Sequence, residues 1–104
     1  MKRFKEYITE KNIFEETNLE WLKRHEVPME NNKYVFYHAV PKSINLNGYI
    51  RANSLLETDK ENAIHYAKRD RNLKAKDIIV YKLLLNPEDI HRGVFASLVN
   101  DYKI

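Results

Sequence analysis

An α+β domain is the fold class the sequence predicts, and three observations predict it. Capping boxes open helices at Thr17 and Thr58, each with a glutamate three residues on. Two runs, 34–40 and 78–85, are dense in β-branched, aromatic and leucine residues, as strands are. Helical signals come first, and strands mixed with short helices follow, the order of an α+β chain rather than an alternating α/β one. The 104 residues make one domain. Its helical N-terminal segment is residues 1–28, packed on a small mixed or antiparallel sheet within a core at 34–104.

Residues 3–26 read as two amphipathic helices. Phe4, Tyr7 and Ile8 share a face of the first, and Ile13 and Phe14 extend its apolar content. The second opens at Thr17-Asn18-Leu19-Glu20, carries Trp21 and Leu22, and gives way to Val27 and Pro28. Trp21 is the expected anchor of the pair on the sheet; the other use of such a pair is docking a protein. Glu30-Asn31-Asn32-Lys33 has the composition of a turn. In the strand at 34–40, alternation sends Tyr34, Phe36 and His38 to one face and Val35, Tyr37 and Ala39 to the other. Both faces are apolar enough for a buried central strand, which Pro41 stops.

Residues 42–46 read as one or two helical turns ending at Asn47-Gly48. A short strand is expected around Ile50 and Leu55-Leu56. The helix opened by Thr58 carries Ala63, Ile64, Tyr66 and Ala67 and runs to about Arg69. Residues 78–85 are almost continuously apolar, which predicts burial on both faces. Asn86-Pro87-Glu88-Asp89 is a turn, 90–98 a last strand and 99–104 a tail.

Composition removes several function classes. The chain has no cysteine, so disulfides, thiolate catalysis and thiolate metal sites are excluded. Two glycines provide neither a Walker A loop nor a dinucleotide fingerprint. No apolar run approaches the roughly 18 residues that span a bilayer. The basic start lacks the apolar stretch of a signal peptide, so a cytoplasmic protein is expected. The net charge is +3, and Lys68, Arg69, Arg71, Lys74 and Lys76 crowd five cations into nine residues. Such a run keeps a helix end wet, and it also offers a patch to a nucleic-acid backbone or an acidic protein. Rich in Lys, Asn and Ile, the small basic chain suits a phage or mobile element.

Among the four histidines none has a second at i+3 or i+4, so no metal site is expected. None of Ser43, Ser54 and Ser97 sits in a Gly-x-Ser-x-Gly elbow. Carboxylates fall in caps and turns, where they serve structure. His38 stands out: at the end of a buried strand it is either satisfied by backbone or presents a ring nitrogen to a cleft.

Tyr37-His38-Ala39-Val40-Pro41 resembles the Tyr-His-Gly-Thr motif of the ADP-ribosyltransferase fold, His-Tyr-Glu type. Residues 55–67 are similar to the family's second motif, a strand leading through a turn into a helix that carries a tyrosine. Residues 80–90, with Asn86-Pro87-Glu88-Asp89, look like its strand and Pro-Glu-Asp turn. The resemblance covers residues 34–91 and implies a split sheet with an NAD cleft lined by Tyr37, His38 and Tyr66. It implies that His38 bonds the nicotinamide-side ribose, that the Ala39 backbone holds the amide, and that Tyr66 stacks on the ring. Ala63 and Leu55 stand where the family has a serine and a second tyrosine, so those contacts are missing. For the family's late catalytic glutamate only Asp101 is at hand, a weak candidate one methylene shorter.

The expected function is transfer of ADP-ribose from NAD to a protein or nucleic-acid acceptor held by the run 68–76. The alternative is a catalytically inactive binding module or inhibitor that uses the same basic surface. A nucleic-acid-binding protein with no NAD site, or a purely structural partner-binding domain, are the remaining classes.

Overall fold

The computed structural model describes residues 16–93 and 95–104; the helix expected within 3–14 lies outside them. Helix α1, Asn18–Arg24, starts where the first capping box puts it. The Thr17 hydroxyl accepts from the Glu20 N–H, and the Glu20 carboxylate takes the Thr17 N–H, each at 3.1 Å. Its fully buried residue is Leu22. Trp21 is only half-buried and lies against the His25 ring, with centroids 4.4 Å apart, so Leu22 rather than Trp21 anchors the helix.

Strand β1, Met29–Glu30, and strand β2, Lys33–Pro41, form a hairpin through Asn31 and Asn32. Both asparagines have positive φ, 53° and 63°, as a two-residue type I′ loop requires. The turn composition of Glu30-Asn31-Asn32-Lys33 is therefore a tight hairpin rather than a connector. Beyond β2, residues 42–46 are irregular, not helical, with Ile44 N–H bonded back to the Pro41 carbonyl. Strand β3, Tyr49–Ile50, follows, and isolated bridges pair Leu55 with Ser97 and Glu57 with Tyr37.

Helix α2, Lys60–Asp70, is capped by Asp59, whose carboxylate accepts from the Glu61 N–H at 2.8 Å. The start is one residue later than the Thr58 box predicts, because Asp59 at N-cap reaches the first-turn donor itself. A short 3-10 turn at Ala75–Asp77 leads into strand β4, Ile78–Leu85, which pairs antiparallel with all of β2 except Lys33. A second 3-10 turn at Pro87–Asp89 precedes strands β5, Ile90–Arg92, and β6, Ala96–Leu98. The strand expected over 90–98 is thus a hairpin. The expected tail contributes strand β7, Tyr102–Lys103, which pairs with β3.

The described residues form a small α+β domain of two α-helices and antiparallel sheets, ordered β1-β2-β4, β3-β7 and β5-β6. Alternation along β2 holds. Tyr34 and Phe36 join Leu83, Leu85, Leu22, Leu56, Ile90 and Leu98 in the larger core. Ala39 faces Ala63, Ala67 and Ile78 in a smaller one, with Tyr37, Ile64 and Val80 packed around it. Alanines at 39, 63 and 67 let α2 lie close on the sheet, since no long side chain holds the backbones apart. β4 departs from expectation. It lies at the sheet margin with Ile79 and Lys82 exposed, so it is not buried on both faces.

A polar tether joins α1 to the β5 end of the domain. Asn18 Nδ2 donates to the Pro87 and Ile90 carbonyls, both at 2.7 Å, and Arg92 Nε donates to Asn18 Oδ1 at 2.8 Å. Asn18→Ala leaves two part-buried carbonyls and a guanidinium short of partners, and is expected to cost about 1–3 kcal/mol. A fall in the urea midpoint at unchanged m-value checks this.

Candidate functional site

His38 sits near the end of β2, and α2 crosses β2 and β4 so that Tyr66 comes to the same margin of the strand. A cleft there is lined by Tyr37, His38, Ala39, Leu55, Glu57, Ala63 and Tyr66. The residues named from sequence for the cofactor side, His38, Ala39, Tyr37 and Tyr66, are therefore brought together. Its closed volume, the space open to the centre of a water-sized sphere, is about 10 Å³. That is room for one water molecule, not for a dinucleotide.

His38 is 8% exposed, and its Nδ1 lies 2.7 Å from the Leu55 carbonyl oxygen. A carbonyl can only accept, so Nδ1 carries the proton and Nε2 of the neutral ring is an acceptor. Nε2 has no partner among the described residues, yet no buried polar side-chain atom is orphaned. The ring lines the cleft. Nδ1 is satisfied by backbone, as the structural reading of a buried histidine expects.

Burial holds the His38 pKa below the usual 6.5; the Leu55 hydrogen bond opposes this and the Arg71 cation adds to it. The ring is thus a neutral acceptor at pH 7. A histidine whose folded pKa is depressed withholds a proton that the unfolded chain takes up. His38 therefore contributes stability in full above about pH 6.5, and loses it as pH falls below that value toward the folded pKa. Melting temperature between pH 7 and pH 5 is expected to fall more for wild type than for His38→Gln, which cannot titrate.

Ala39 supplies backbone. The pairing of Lys42 N–H with Asp77 O sets the ladder phase, so even-numbered residues of β2 bond to β4 and odd-numbered ones face away. Val35 and Tyr37 follow this rule, donating to Pro28 O and Glu57 O at 2.8 and 2.7 Å. The N–H and C=O of Ala39 face the same way, toward the cleft, and no partner for either occurs among the described residues.

Glu57 is the carboxylate that sequence reading passed over. Two bonds between its backbone and that of Tyr37, at 2.7 and 2.9 Å, fix it beside the cleft. Burial raises its pKa, and the neighbouring Asp59 raises it further. It also lines two shallow hollows of about 200 Å³ each. One continues past Tyr66, His65 and Arg69, the other past Trp21, His25 and Phe36, and both reach Phe95, which is 60% exposed. Glu57 thus lines the cleft and both hollows. Only its bridge to Tyr37, a pairing across 20 residues, identifies it, and no local pattern reports that.

Asp101 is not part of this site. Its carboxylate accepts from the Ala52 N–H at 2.8 Å and from Arg51 at 3.3 Å, which hold it below the usual carboxylate range. It ties the tail to the turn after β3 and does not line the cleft with His38, Ala39, Tyr37 and Tyr66. Lys68 and Arg69 end α2, Arg71 is its C-cap, and Lys74 and Lys76 follow; all five are exposed. Arg69 is held by Asp70 at 3.0 Å and lines one of the two hollows beside Glu57. None of the five lines the cleft itself. Among the described residues no three His, Asp or Glu side chains are grouped to hold a metal ion, and no helix is long and apolar enough to cross a membrane.

Comparison with protein-family models, with curated proteins and with solved structures finds no match to the chain.

Proposed function

We propose that the chain is a small ADP-ribosyltransferase-like domain whose cleft takes the nicotinamide end of NAD as substrate. The observation that carries this is the convergence on one cleft of an imidazole acceptor, a free strand edge and an aromatic ring, from His38, Ala39 and Tyr66. Those three groups suit a ribose hydroxyl, a carboxamide and a pyridine ring in turn. The Ala39 N–H and C=O form a donor–acceptor pair that a primary amide complements. Binding requires Tyr66 to swing out of the closed cleft and lie against the ring, a change the ligand's own contacts must drive.

Transfer needs more than binding. Breaking the bond between the ribose and nicotinamide leaves positive charge on the sugar, which a nearby carboxylate stabilises. Glu57 is the acid lining the cleft, and its raised pKa comes from burial that a cationic sugar would offset. A protein or nucleic-acid acceptor would be held along 68–76. The second reading, an inactive binding module or inhibitor, is favoured by one fact: the late-strand acid of the family pattern has no counterpart here, Asp101 being engaged elsewhere. Both readings share the NAD-responsive cleft.

A thermal-shift assay tests it. NAD, and nicotinamide alone at higher concentration, are expected to raise the melting temperature of wild type, and Tyr66→Ala to reduce the shift. Absence of any shift with either ligand up to millimolar concentration contradicts the reading. A mass increase matching ADP-ribose on an incubated protein or RNA then separates transfer from binding.

A further inference from the structure

Among the described residues, a second strand edge without a strand partner lies on the far side of the sheet. Because odd-numbered residues of β4 bond to β2, the even-numbered ones, Ile78, Val80, Lys82 and Leu84, point their backbone groups outward. The chain caps this edge at both ends. The Ile78 N–H bonds to the Ala75 carbonyl, and the Leu84 N–H bonds to the Tyr102 hydroxyl at 3.2 Å. Between the caps, the N–H and C=O of Val80 and of Lys82 have no partner among the described residues. Two donors and two acceptors remain, spaced symmetrically about Tyr81.

Soluble proteins blunt such edges with proline, bulges or a covering element. β4 has neither proline nor bulge, and its register with β2 is unbroken over eight pairs. Its one edge charge, Lys82, is neutralised by Glu30, with Nζ 2.7 Å from Oε2. Ile79 is left 37% exposed beside it.

We propose that β4 is a self-pairing edge, docking antiparallel against β4 of a second copy about a two-fold axis at Tyr81. In this register Val80 lies opposite Lys82 of the partner copy, so four backbone hydrogen bonds form and no bond among the described residues is displaced. A two-fold axis demands a surface complementary to itself, and this window is. Tyr81 meets its own counterpart at the close, non-hydrogen-bonded position, where an aromatic pair stabilises a ladder. Ile79 falls opposite Leu83 of the partner copy, whose own side chain is already buried, so this pair adds backbone alignment rather than apolar burial. Glu30 beside each Lys82 removes the repulsion that would otherwise oppose bringing two lysines together. The pair buries far less than the ~1,200–2,000 Å² of a standard interface, so the dimer is weak and concentration-dependent. This pairing does not depend on NAD binding in the cleft.

Sedimentation velocity on the full chain from 10 μM to 1 mM tests it, as a choice of protein concentrations spanning weak association. The expected result is a monomer that converts to dimer across that range, with amide exchange at Val80 and Lys82 slowing as dimer forms. Val80→Pro removes an outward donor without touching the β2 ladder, as edge prolines do, and is expected to stay monomeric with unchanged circular dichroism. Should Val80→Pro fail to fold, concentration-dependent protection at residues 80 and 82 in wild type decides alone. A wild type monomeric at 1 mM, a dimer that survives Val80→Pro, or protection confined to other elements overturns the proposal.

Discussion

Phe36→Ala is expected to lower unfolding free energy by about 3–5 kcal/mol, the range for truncating a fully buried aromatic. Phe36 is 0% exposed and lies opposite Leu83, itself at 0%, in the middle of the β2–β4 ladder. It belongs to the larger core, which also draws Leu22 from α1, Leu56 from the bridge segment, Leu83 from β4 and Leu98 from the last hairpin. These neighbours belong to elements tied by separate hydrogen bonds, so none can collapse into the void without breaking its own ties. A domain this size has about 5–15 kcal/mol in total, so the variant sits near the edge of folding at 37 °C. Urea titration of wild type and Phe36→Leu alongside it reads the effect. Phe36→Leu should lose less than half as much, because most of the apolar volume is kept.

His38→Ala is expected to abolish the NAD-dependent rise in melting temperature. Linkage gives wild type about 2.7 kcal/mol at ligand a hundredfold above Kd. Removing the imidazole takes away the Nε2 acceptor in the cleft and frees the Leu55 carbonyl that Nδ1–H held. The second loss also destabilises the chain without ligand. The ligand-induced shift, rather than the melting temperature itself, is therefore the quantity to compare. His38→Gln restores the donor toward Leu55 and serves as the control for fold. Should it melt like wild type yet lose the shift, the effect belongs to the ring acceptor. An undiminished shift in both variants would remove His38 from the site.

The sequence made the local parts of this protein legible. The Thr17–Glu20 box lies where pattern puts it, because both partners sit within one helical turn. Strands 34–40 and 78–85 announce themselves because β-branched and aromatic residues accumulate there. The faces of β2 follow from its period of two. Non-local pairings were invisible. Strands β3 and β7 are two residues each and exist only because residues 49–50 meet 102–103. β4 looked central because its composition is apolar, but composition does not reveal which neighbours a strand finds. At the site, His38 and Tyr66 were legible from their types and order. Glu57 was not, since its place depends on the bridge to Tyr37. Asp101 was read for its position late in the chain, when its chemistry is to hold a turn.

If the β2 margin at His38 and Ala39 receives the nicotinamide end of NAD, as proposed, the amides there respond to it. Titrating ¹⁵N-labelled protein with NAD and following backbone amide shifts tests it most directly. The expected result is saturable shifts centred on Ala39, His38, Glu57 and Tyr66, with the His38 imidazole signal moving in step. Shifts confined to residues 68–76 and suppressed by salt, or no shifts at all, would contradict it.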